Sequence, residues 1–477
     1  MESGLQRGAV GFWQLTYQSI SLVSPAGAMA ATMTGAASYA QGALPLTYVF
    51  SVIAAAFMIN TTYQFSQRIA SAGGFYAYVS QGMNAKWGIV AGLLFLLSYF
   101  MVFTNAALFL SGVFIPGILS ELLHITLPSW SWVVLMIMFD GIVLYFAYAG
   151  IQPSLKYSVW TGAFEILILV IASVAIIAGA GSQNTTEVFT NIHLAKNGIN
   201  GIGVGVILAM FSMSGSSAAI VLGEETHSPR QTIRKAIITS FLFAASLFVL
   251  MAYAMTVGWG AEKMGSFASA SIPGVILANR YVAPAFGWLL ILFILNSLVA
   301  GSLAPVNGSV RMIYALARDG AIFPRSLAQV NARHNPTRAV LLVTGLGFLV
   351  SLIAGILLGP FNGFLVLVTA SSVALFVGHI IANVALPIYF RHQRHLRVFA
   401  HLVAPTIASI LVLLGIWYTI YPFPYPIVIG PLIVLAVIFY TLYQIKRIPP
   451  SVLVQAGQFN AHEQDDELPN TQDPTPI

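Results

Sequence analysis

The sequence predicts an all-α membrane protein of twelve transmembrane helices, arranged as a five-plus-five inverted repeat in which helices 1 and 6 are broken. Three observations lead to this prediction. Of the 477 residues, 58% are hydrophobic and only 7% are charged, whereas about a quarter of the residues in soluble domains are charged. Several long stretches contain no Asp, Glu, Lys or Arg. Two apolar segments, one in each half of the chain, are interrupted by small and polar residues.

The charge-free stretches give the helices in order, because a helix that crosses a bilayer needs about 20 apolar residues. Stretches 8–67, 339–390 and 398–445 are each long enough for two helices and a turn. The turns are expected at 42–45, 359–363 and 422–426. The predicted helices are 12–37, 44–66, 88–114, 129–149, 155–180, 200–223, 236–258, 283–308, 338–358, 363–388, 399–420 and 426–445.

These helices divide the chain into a first five-helix repeat, 12–180, a second and inverted repeat, 200–388, and helices 11 and 12 at 399–445. Residues 1–11 and 451–477 are expected to be cytoplasmic tails, and the polar second tail is predicted to be disordered. With both tails inside, all but three of the 20 Lys and Arg residues fall on the inner side, as the positive-inside rule requires. The expected location is the plasma (inner) membrane.

The two interruptions share a composition of small and polar residues, SPAGAMA at 24–30 and SMSGSSAA at 212–219. A break frees backbone N–H and C=O groups, and hydrocarbon tolerates such groups only where they line a protein cavity or bind a ligand. One broken helix in each half is typical of secondary transporters, which bind substrate where the breaks meet. Transport is therefore the predicted function. Close helix packing through small residues is the alternative interpretation.

Three motifs elsewhere in the chain carry a family resemblance. SAGGFYAY at 71–78 is similar to an AGGxYxY signature, GEETHSPRQTI at 223–233 to EExxNPxRxIP, and YALARDG at 314–320 to YAxARDG. In this order and on this side of the membrane, they resemble the motifs of the amino acid–polyamine–organocation (APC) superfamily, specifically its prokaryotic amino acid permeases. The resemblance covers almost the whole chain and implies a leucine-transporter-like fold.

The resemblance also implies a substrate site at the two breaks. It places the carboxylate of an amino acid on the N–H groups of Ala26, Gly27 and Ala28, and the ammonium on carbonyls at the broken ends. Free N–H groups favour an anion and free C=O groups favour a cation. Phe211 falls where relatives often carry an aromatic gate. The predicted substrate-binding residues are Val23, Ser24, Ala26, Gly27, Ala28, Phe211, Ser214, Gly215 and Ser217, with the carbonyls of Val23, Phe211 and Ser214 as ammonium ligands.

Glu165 is an acid near the middle of the predicted fifth helix. It shares one helical face with Ser154, Thr161 and Ser173, so its carboxyl is predicted to face the bundle. Acids at this depth are costly and usually functional. In several members of the family that the chain resembles, a lysine stands at this position in place of a sodium ion. We expect Glu165, with Ser302 as partner, to carry the coupling proton of a symporter. A fixed polar tie in an exchanger and a sodium ligand are the alternatives.

Asp140 is the only other acid inside the predicted helices, and His379 lies in the predicted tenth helix. A buried charge needs a partner, so Asp140 is interpreted as making a structural hydrogen bond. His379 is interpreted as a core residue with satisfied hydrogen bonds rather than as part of a proton relay.

The substrate class is predicted from charge. Members of the family that the chain resembles often carry an acid two positions after the glycine of the second break, and this sequence has Ser217 there. Without that negative charge a cationic side chain is disfavoured, and without Lys or Arg near the breaks an acidic one is disfavoured too. Neutral amino acids are therefore expected. Amino acid exchange and amine or polyamine transport are the alternatives.

Other function classes have less support. A channel, the main rival, needs a continuous polar pore, whereas only scattered polar residues are visible. Without an HExxH motif, a glycosidase-like acid pair or a Ser–His motif, the chain is not expected to be an enzyme, and without a Walker lysine it has no visible means of using ATP. With no cysteine, thiolate metal sites are excluded. No cofactor, metal or nucleic-acid partner is expected. The expected partners are the lipid bilayer, an amino acid, and a proton rather than sodium, and the chain is expected to act as a monomer or homodimer.

Overall fold

The computed structural model describes residues 4–270, 272–421 and 425–461, and helices make up most of these ranges. Within them the β-type pairing is limited to one bridge, between Val10 and Thr226. The predicted all-α class is therefore confirmed.

The α-helices from the start of the chain to the second break are α1 Phe12–Val23, α2 Pro25–Ala28, α3 Thr34–Ala40, α4 Leu44–Ser66, α5 Phe75–Gly82, α6 Ala85–Phe109, α7 Ile115–Leu123, α8 Ser131–Ala149, α9 Ile151–Ala180 and α10 Ile199–Met213. The later ones are α11 Pro229–Trp259, α12 Met264–Phe267, α13 Pro273–Tyr281, α14 Pro284–Arg318, α15 Thr337–Leu358, α16 Pro360–His392, α17 Ala404–Ile420, α18 Ile429–Ile445 and α19 Pro450–Gln455. π-helical turns occur at Met29–Met33, Leu110–Phe114 and Phe399–Val403.

Ten helical segments of the described chain are long and apolar enough to cross a membrane. One of them, Phe12–Ser66, has 55 residues and contains α1 to α4, and a shorter apolar helix, α18, follows the last. These segments indicate a multi-pass membrane protein. The predicted count of twelve requires Phe12–Ser66 to cross twice and α18 to cross once. That count and the inverted repeat stay predictions.

The helices form a buried centre and an exposed periphery. In the most apolar stretch of Ala85–Leu123, 83% of the residues are buried, against 28% for Ser131–Ala149. The apolar side chains that α8 leaves exposed suit contact with lipid. Helix α6 packs along α16, α5 and α14 and so lies at the centre of the bundle.

The first helix is broken where the sequence predicts. α1 ends at Val23, Ser24 has a left-handed backbone with φ 49°, and Pro25 begins α2. Proline has no N–H and disfavours helical geometry in the residue before it, so regular helix is interrupted at Ser24. The helix resumes through α2, the π-helical turn at Met29–Met33 and α3.

The second break is a change of helix type. α10 ends at Met213 and a 3₁₀-helix follows over Ser214–Glu225. The Ser214 hydroxyl donates to the Phe211 carbonyl at 2.7 Å, and the Ser216 hydroxyl donates to the Met213 carbonyl at 2.9 Å. Serine hydroxyls commonly compete for helix carbonyls in this way. The run of serines therefore supports the tighter geometry.

Part of the segment predicted to be disordered is folded. After α19, the Asn460 side chain accepts from the Ala70 N–H at 3.0 Å and donates to the Arg68 carbonyl at 2.9 Å. Phe459 is 7% exposed, and the Arg318 guanidinium carbon lies 4.2 Å from its ring centroid. The segment is ordered here because its polar groups have partners inside the molecule. The remaining tail, 462–477, and part of the predicted turn at 422–426 lie outside the described residues.

Candidate functional site

The two broken helices touch at their backbones. A Cβ at Gly215 would lie 2.7 Å from the Val23 nitrogen and 2.8 Å from the Leu22 carbonyl carbon, which is closer than a real Cβ approaches other atoms. Glycine alone, which has no Cβ, fits this position. The breaks therefore face one another, as the sequence predicts.

Helix α14 holds the first break. The Ser24 hydroxyl lies 3.0 Å from the Ser297 carbonyl, to which it donates, and 2.9 Å from the Ser297 hydroxyl. A Cβ at Gly301 would lie 2.9 Å from the Ser24 Cβ. The small residues on α14 therefore let this helix approach the backbone of the break.

A cavity of about 140 Å³ lies beside the breaks. All the predicted substrate-binding residues except Ala26 line it, and Ala26 is fully buried behind them. The walls continue to Phe109 and Phe364, toward the end of the bundle away from the chain termini. Among the described residues that line the cavity, none is charged.

Sequence reasoning missed the walls that α6 and α16 contribute. Phe95, Tyr99 and Asn105 line the cavity from α6, and Val368 and Leu375 line it from α16. A helix that is buried on all sides is apolar on all sides. The hydrophobic pattern of α6 therefore does not distinguish the residues that line the cavity from those that pack in the core. The polar tips of Tyr99 and Asn105 are the signal in the sequence that could have found these walls.

Two of the three carbonyls predicted to bind an ammonium, those of Phe211 and Ser214, already have local donors. The Phe211 carbonyl accepts from the Ser214 hydroxyl, and the Ser214 carbonyl accepts from the Ser217 hydroxyl at 3.4 Å. A carbonyl has two lone pairs, and the Phe211 carbonyl also accepts from the Ser214 N–H, so an ammonium would have to displace a donor there. The Phe211 ring lines the cavity and meets Phe376 edge-on, with ring centroids 6.2 Å apart. Its role as a gate stays a prediction.

Glu165 reaches the first break directly. Its side chain is 2% exposed. Its Oε1 accepts from the Ala26 N–H at 2.9 Å and from the Ser297 hydroxyl at 2.7 Å. The serine that bonds to Glu165 is thus Ser297 and not the predicted Ser302. The Ser302 hydroxyl has no hydrogen-bond partner among the described residues. Five residues turn a helix by about 500°, or about 140° beyond a full turn, so these two serines face different neighbours.

The three N–H groups predicted to hold a substrate carboxylate all have partners within the protein. Ala26 donates to Glu165, Gly27 donates to the Ser297 hydroxyl at 3.2 Å, and Ala28 donates to the Ser24 carbonyl at 2.7 Å. These three donors are therefore satisfied without substrate, and a carboxylate bound to them must replace at least one of these hydrogen bonds.

The three signature motifs meet in one buried cluster near the chain termini. Glu224 accepts from the Ala72 N–H and from the Arg318 guanidinium, both at 2.9 Å. Asp319 accepts from the Tyr76 hydroxyl at 2.9 Å. Residues from 71–78, 223–233 and 314–320 thus pair with one another. The motifs close this end of the bundle and lie apart from the cavity.

The two other predicted buried groups, Asp140 and His379, each lack an expected hydrogen bond within the described residues. Asp140 is 7% exposed, and neither carboxylate oxygen has a hydrogen-bond partner among the described residues, so the expected hydrogen bond is absent there. His379 lies between Phe75 and Phe95, with ring centroids 5.1 Å and 5.2 Å away. Its aromatic neighbours fit the predicted core position, although Nδ1 has no partner in the described part of the chain.

Comparisons with known proteins point to one family. The family model described as amino acid permease matches residues 14–448. The low-affinity putrescine importer PlaP of Escherichia coli K12 is 25% identical over 295 residues, which are 60% of this chain and 61% of the importer. The branched-chain amino acid permease BcaP of Bacillus subtilis is 23% identical over 351 residues, 70% of this chain and 71% of the permease. The amino-acid permease RocC of B. subtilis is 23% identical over 291 residues, 58% of each chain. The alignment with the putrescine importer thus covers less than two thirds of that protein.

Proposed function

This chain belongs to the amino acid permease family, and we propose that it is a secondary active transporter that moves a neutral amino acid across the plasma membrane by alternating access. The observation that carries the proposal is the cavity between the two helix breaks, with backbone polar groups at one side and uncharged walls elsewhere. Such a cavity suits a zwitterion with an apolar side chain. Twelve crossings, with both termini in the cytoplasm, complete the proposal.

The cavity lining favours a branched or aromatic side chain on the substrate. Phe95, Phe109, Phe364 and Leu375 supply apolar surface, and burial of an unpaired charge among such groups is costly. Acidic and basic amino acids are therefore disfavoured. The relative BcaP is named as a branched-chain amino acid permease, which supports the same substrate class.

The proposed coupling ion is a proton, carried by Glu165. This carboxyl is buried and bonded to the Ala26 N–H, so a change in its charge acts directly on the broken helix. A group that alternates between neutral and charged forms can carry a proton through the transport cycle. In the alternative, an exchanger, Glu165 is a permanent tie between α9 and the break.

An amine transporter is the second candidate. The N–H groups that would hold a substrate carboxylate have internal partners, and one partner is itself a carboxylate, that of Glu165. A substrate that lacks a carboxylate would leave these bonds intact. The relative PlaP is named as a putrescine importer, which supports this candidate.

Uptake of labelled leucine into proteoliposomes tests the proposal. We expect saturable uptake that an inward proton gradient stimulates and that unlabelled isoleucine or phenylalanine inhibits, whereas lysine and glutamate do not inhibit it. Uptake that requires leucine inside the vesicles would indicate an exchanger. Uptake of putrescine but not of leucine would make an amine the substrate, and flux that does not saturate would indicate a channel.

A further inference from the structure

The Glu165 carboxylate accepts a hydrogen bond from the Ala26 N–H group. The family resemblance assigns this donor to the carboxylate of the substrate. We propose that Glu165 is an internal substitute for the substrate's carboxylate, so that ionised Glu165 and substrate exclude each other at the Ala26 N–H group, and substrate binds after a proton has neutralised Glu165. This inference rests on the proposed function, because it requires a substrate that has a carboxylate.

The geometry of two neighbouring N–H groups carries the proposal. Glu165 Oε1 accepts from the Ala26 N–H at 2.9 Å and from the Ser297 hydroxyl at 2.7 Å, and the same hydroxyl accepts from the Gly27 N–H at 3.2 Å. One carboxylate oxygen and one hydroxyl thus satisfy both N–H groups. An amino acid in the adjacent cavity, which Gly27 and Ala28 line, needs these same donors for its carboxylate.

Charge makes the two carboxylates mutually exclusive. Two negative charges on one pair of donors repel strongly in a protein interior. Protonated Glu165 is neutral and becomes a weaker acceptor, because hydrogen bonds to ionised groups are roughly twice as strong as neutral ones. It also gains an O–H donor, for which the Ser297 oxygen lies within reach. The Ala26 N–H is then free to turn to the substrate.

Few groups around Glu165 could carry the proton in its place or pair with its charge. Tyr157 on the same helix donates to the Asn296 side chain at 2.6 Å, and Tyr17 on α1 packs against Gly162. Asp140 lies on α8, which also packs against α9. The ion pairs found in the described chain do not include Glu165. The Lys and Arg residues of the other helices packed against α9 lie toward the helix ends and are Arg230, Arg234, Lys235, Arg280, Arg311 and Arg318.

Binding of labelled leucine to the purified protein in lipid nanodiscs, measured across acid to mildly alkaline pH, tests the inference. We expect the affinity to fall by about tenfold per pH unit once Glu165 ionises, as linkage of one proton requires. In weakly buffered solution at the alkaline end, a pH indicator should show uptake of one proton for each leucine bound. Leucine binding without proton uptake at that pH would overturn the proposal.

Two amide variants separate Glu165 from other buried acids. Glu165→Gln keeps the acceptor oxygen but cannot ionise, so its leucine affinity should no longer depend on pH and should match the wild-type value at acid pH. Asp140→Asn is the matched control, and it should keep the wild-type pH dependence and proton uptake. A pH dependence that survives in Glu165→Gln overturns the inference but leaves leucine transport intact.

A leucine analogue without a carboxylate, 3-methylbutylamine, distinguishes this inference from the amine alternative. We expect it to bind wild type poorly and without proton uptake. Binding tighter than that of leucine at alkaline pH would mean that Glu165 replaces the substrate carboxylate permanently, which overturns the exclusion proposed here. Failure of leucine to bind at any pH would overturn both this inference and the proposed function.

Discussion

Gly215 is a residue at which the backbones of the two broken helices touch, and its hydrogen is the largest substituent that fits. In Gly215→Ala the new Cβ would meet backbone atoms of Leu22 and Val23, which do not move as a flexible side chain does. Overpacking of this kind costs about 1–3 kcal/mol, so we expect leucine uptake to fall about tenfold.

Gly345→Ala on α15 is the control, because a Cβ there would have open space for 4 Å around it within the described part of the chain. Equal uptake by both variants would contradict the contact.

Ser297 donates to the ionised form of Glu165 at 2.7 Å. In Ser297→Ala that donor is lost, so the ionised form is less favoured and protonation persists to higher pH. We expect the pH at which leucine affinity is half lost to move upward. Ser309→Ala, which removes another buried hydroxyl of α14 that has no hydrogen-bond partner among the described residues, should leave the profile in place. A downward shift in Ser297→Ala would contradict this assignment.

Single residues at the breaks could be predicted because their chemistry is local. Pro25 has no N–H to continue the preceding helix and stands among small and polar residues, and the serines and Gly215 of 212–219 are unlike a lipid-facing run. Ser297 could not be predicted, because its contact with Glu165 depends on how α14 is rotated against α9. That rotation is set by packing, including the close approach at Gly301, which the pattern of one helix does not reveal.

At the scale of helices, hydropathy locates the apolar membrane segments but does not predict helical residues outside them. It predicts a helix over 283–308, whereas α14 runs from Pro284 to Arg318, because the helix continues past the apolar stretch into the buried ion cluster. Hydropathy does not predict the short helix α5, Phe75–Gly82. This helix is too short to cross a bilayer, so a search for stretches of about 20 apolar residues passes over it.

The link between the 3₁₀-helix and α14 is a buried ion pair. Arg311 and Glu225 are each 1% exposed and form two hydrogen bonds, at 2.9 Å and 3.1 Å. Arg311→Ala leaves a buried carboxylate without its partner, so we expect the free energy of unfolding to fall by about 3–5 kcal/mol. Denaturant unfolding in detergent measures this change. Arg338→Ala, at an exposed position, should unfold like wild type.

A double substitution separates this loss of pairing from loss of packing. Arg311→Met combined with Glu225→Leu leaves no charge unpaired and should recover much of the stability. If the double variant is as unstable as Arg311→Ala, the pair contributes through the shape of its side chains rather than through its charge.

At the scale of the whole molecule, the two ends of the bundle differ. The cavity extends toward the end away from the termini, while the ion cluster and residues 457–461 close the end that carries the termini. The Gly457 N–H donates to Asp319 at 2.8 Å, and the Ala461 N–H donates to the Ala70 carbonyl at 2.9 Å. The proposed alternating access requires this closed end to open, so we expect the contacts of 457–461 to break when it does.

Shortening the chain tests that closure. Truncation after Ala456 removes the contacts of Gly457, Phe459 and Asn460, so we expect the closed end to open more often. The natural chain contains no cysteine, so a single Ser217→Cys in the cavity can report access. An impermeant thiol reagent applied from the side of the termini should react several-fold faster in the truncated protein. Truncation after Ala461, which keeps these contacts, is the control, and equal rates would contradict a closing role.

The hydrogen bonds that close this end become possible at different stages of protein synthesis. Asp319 takes one donor from Tyr76, 243 residues earlier in the chain, and another from Gly457, 138 residues later. When the ribosome has synthesised α14 and Asp319, the acceptor Asp319 and the donor Tyr76 are both present, but the second donor, Gly457, has not yet been made. The end of the bundle that faces the termini can be sealed in this way only when synthesis has passed Gly457, after every helix that lines the cavity has been made.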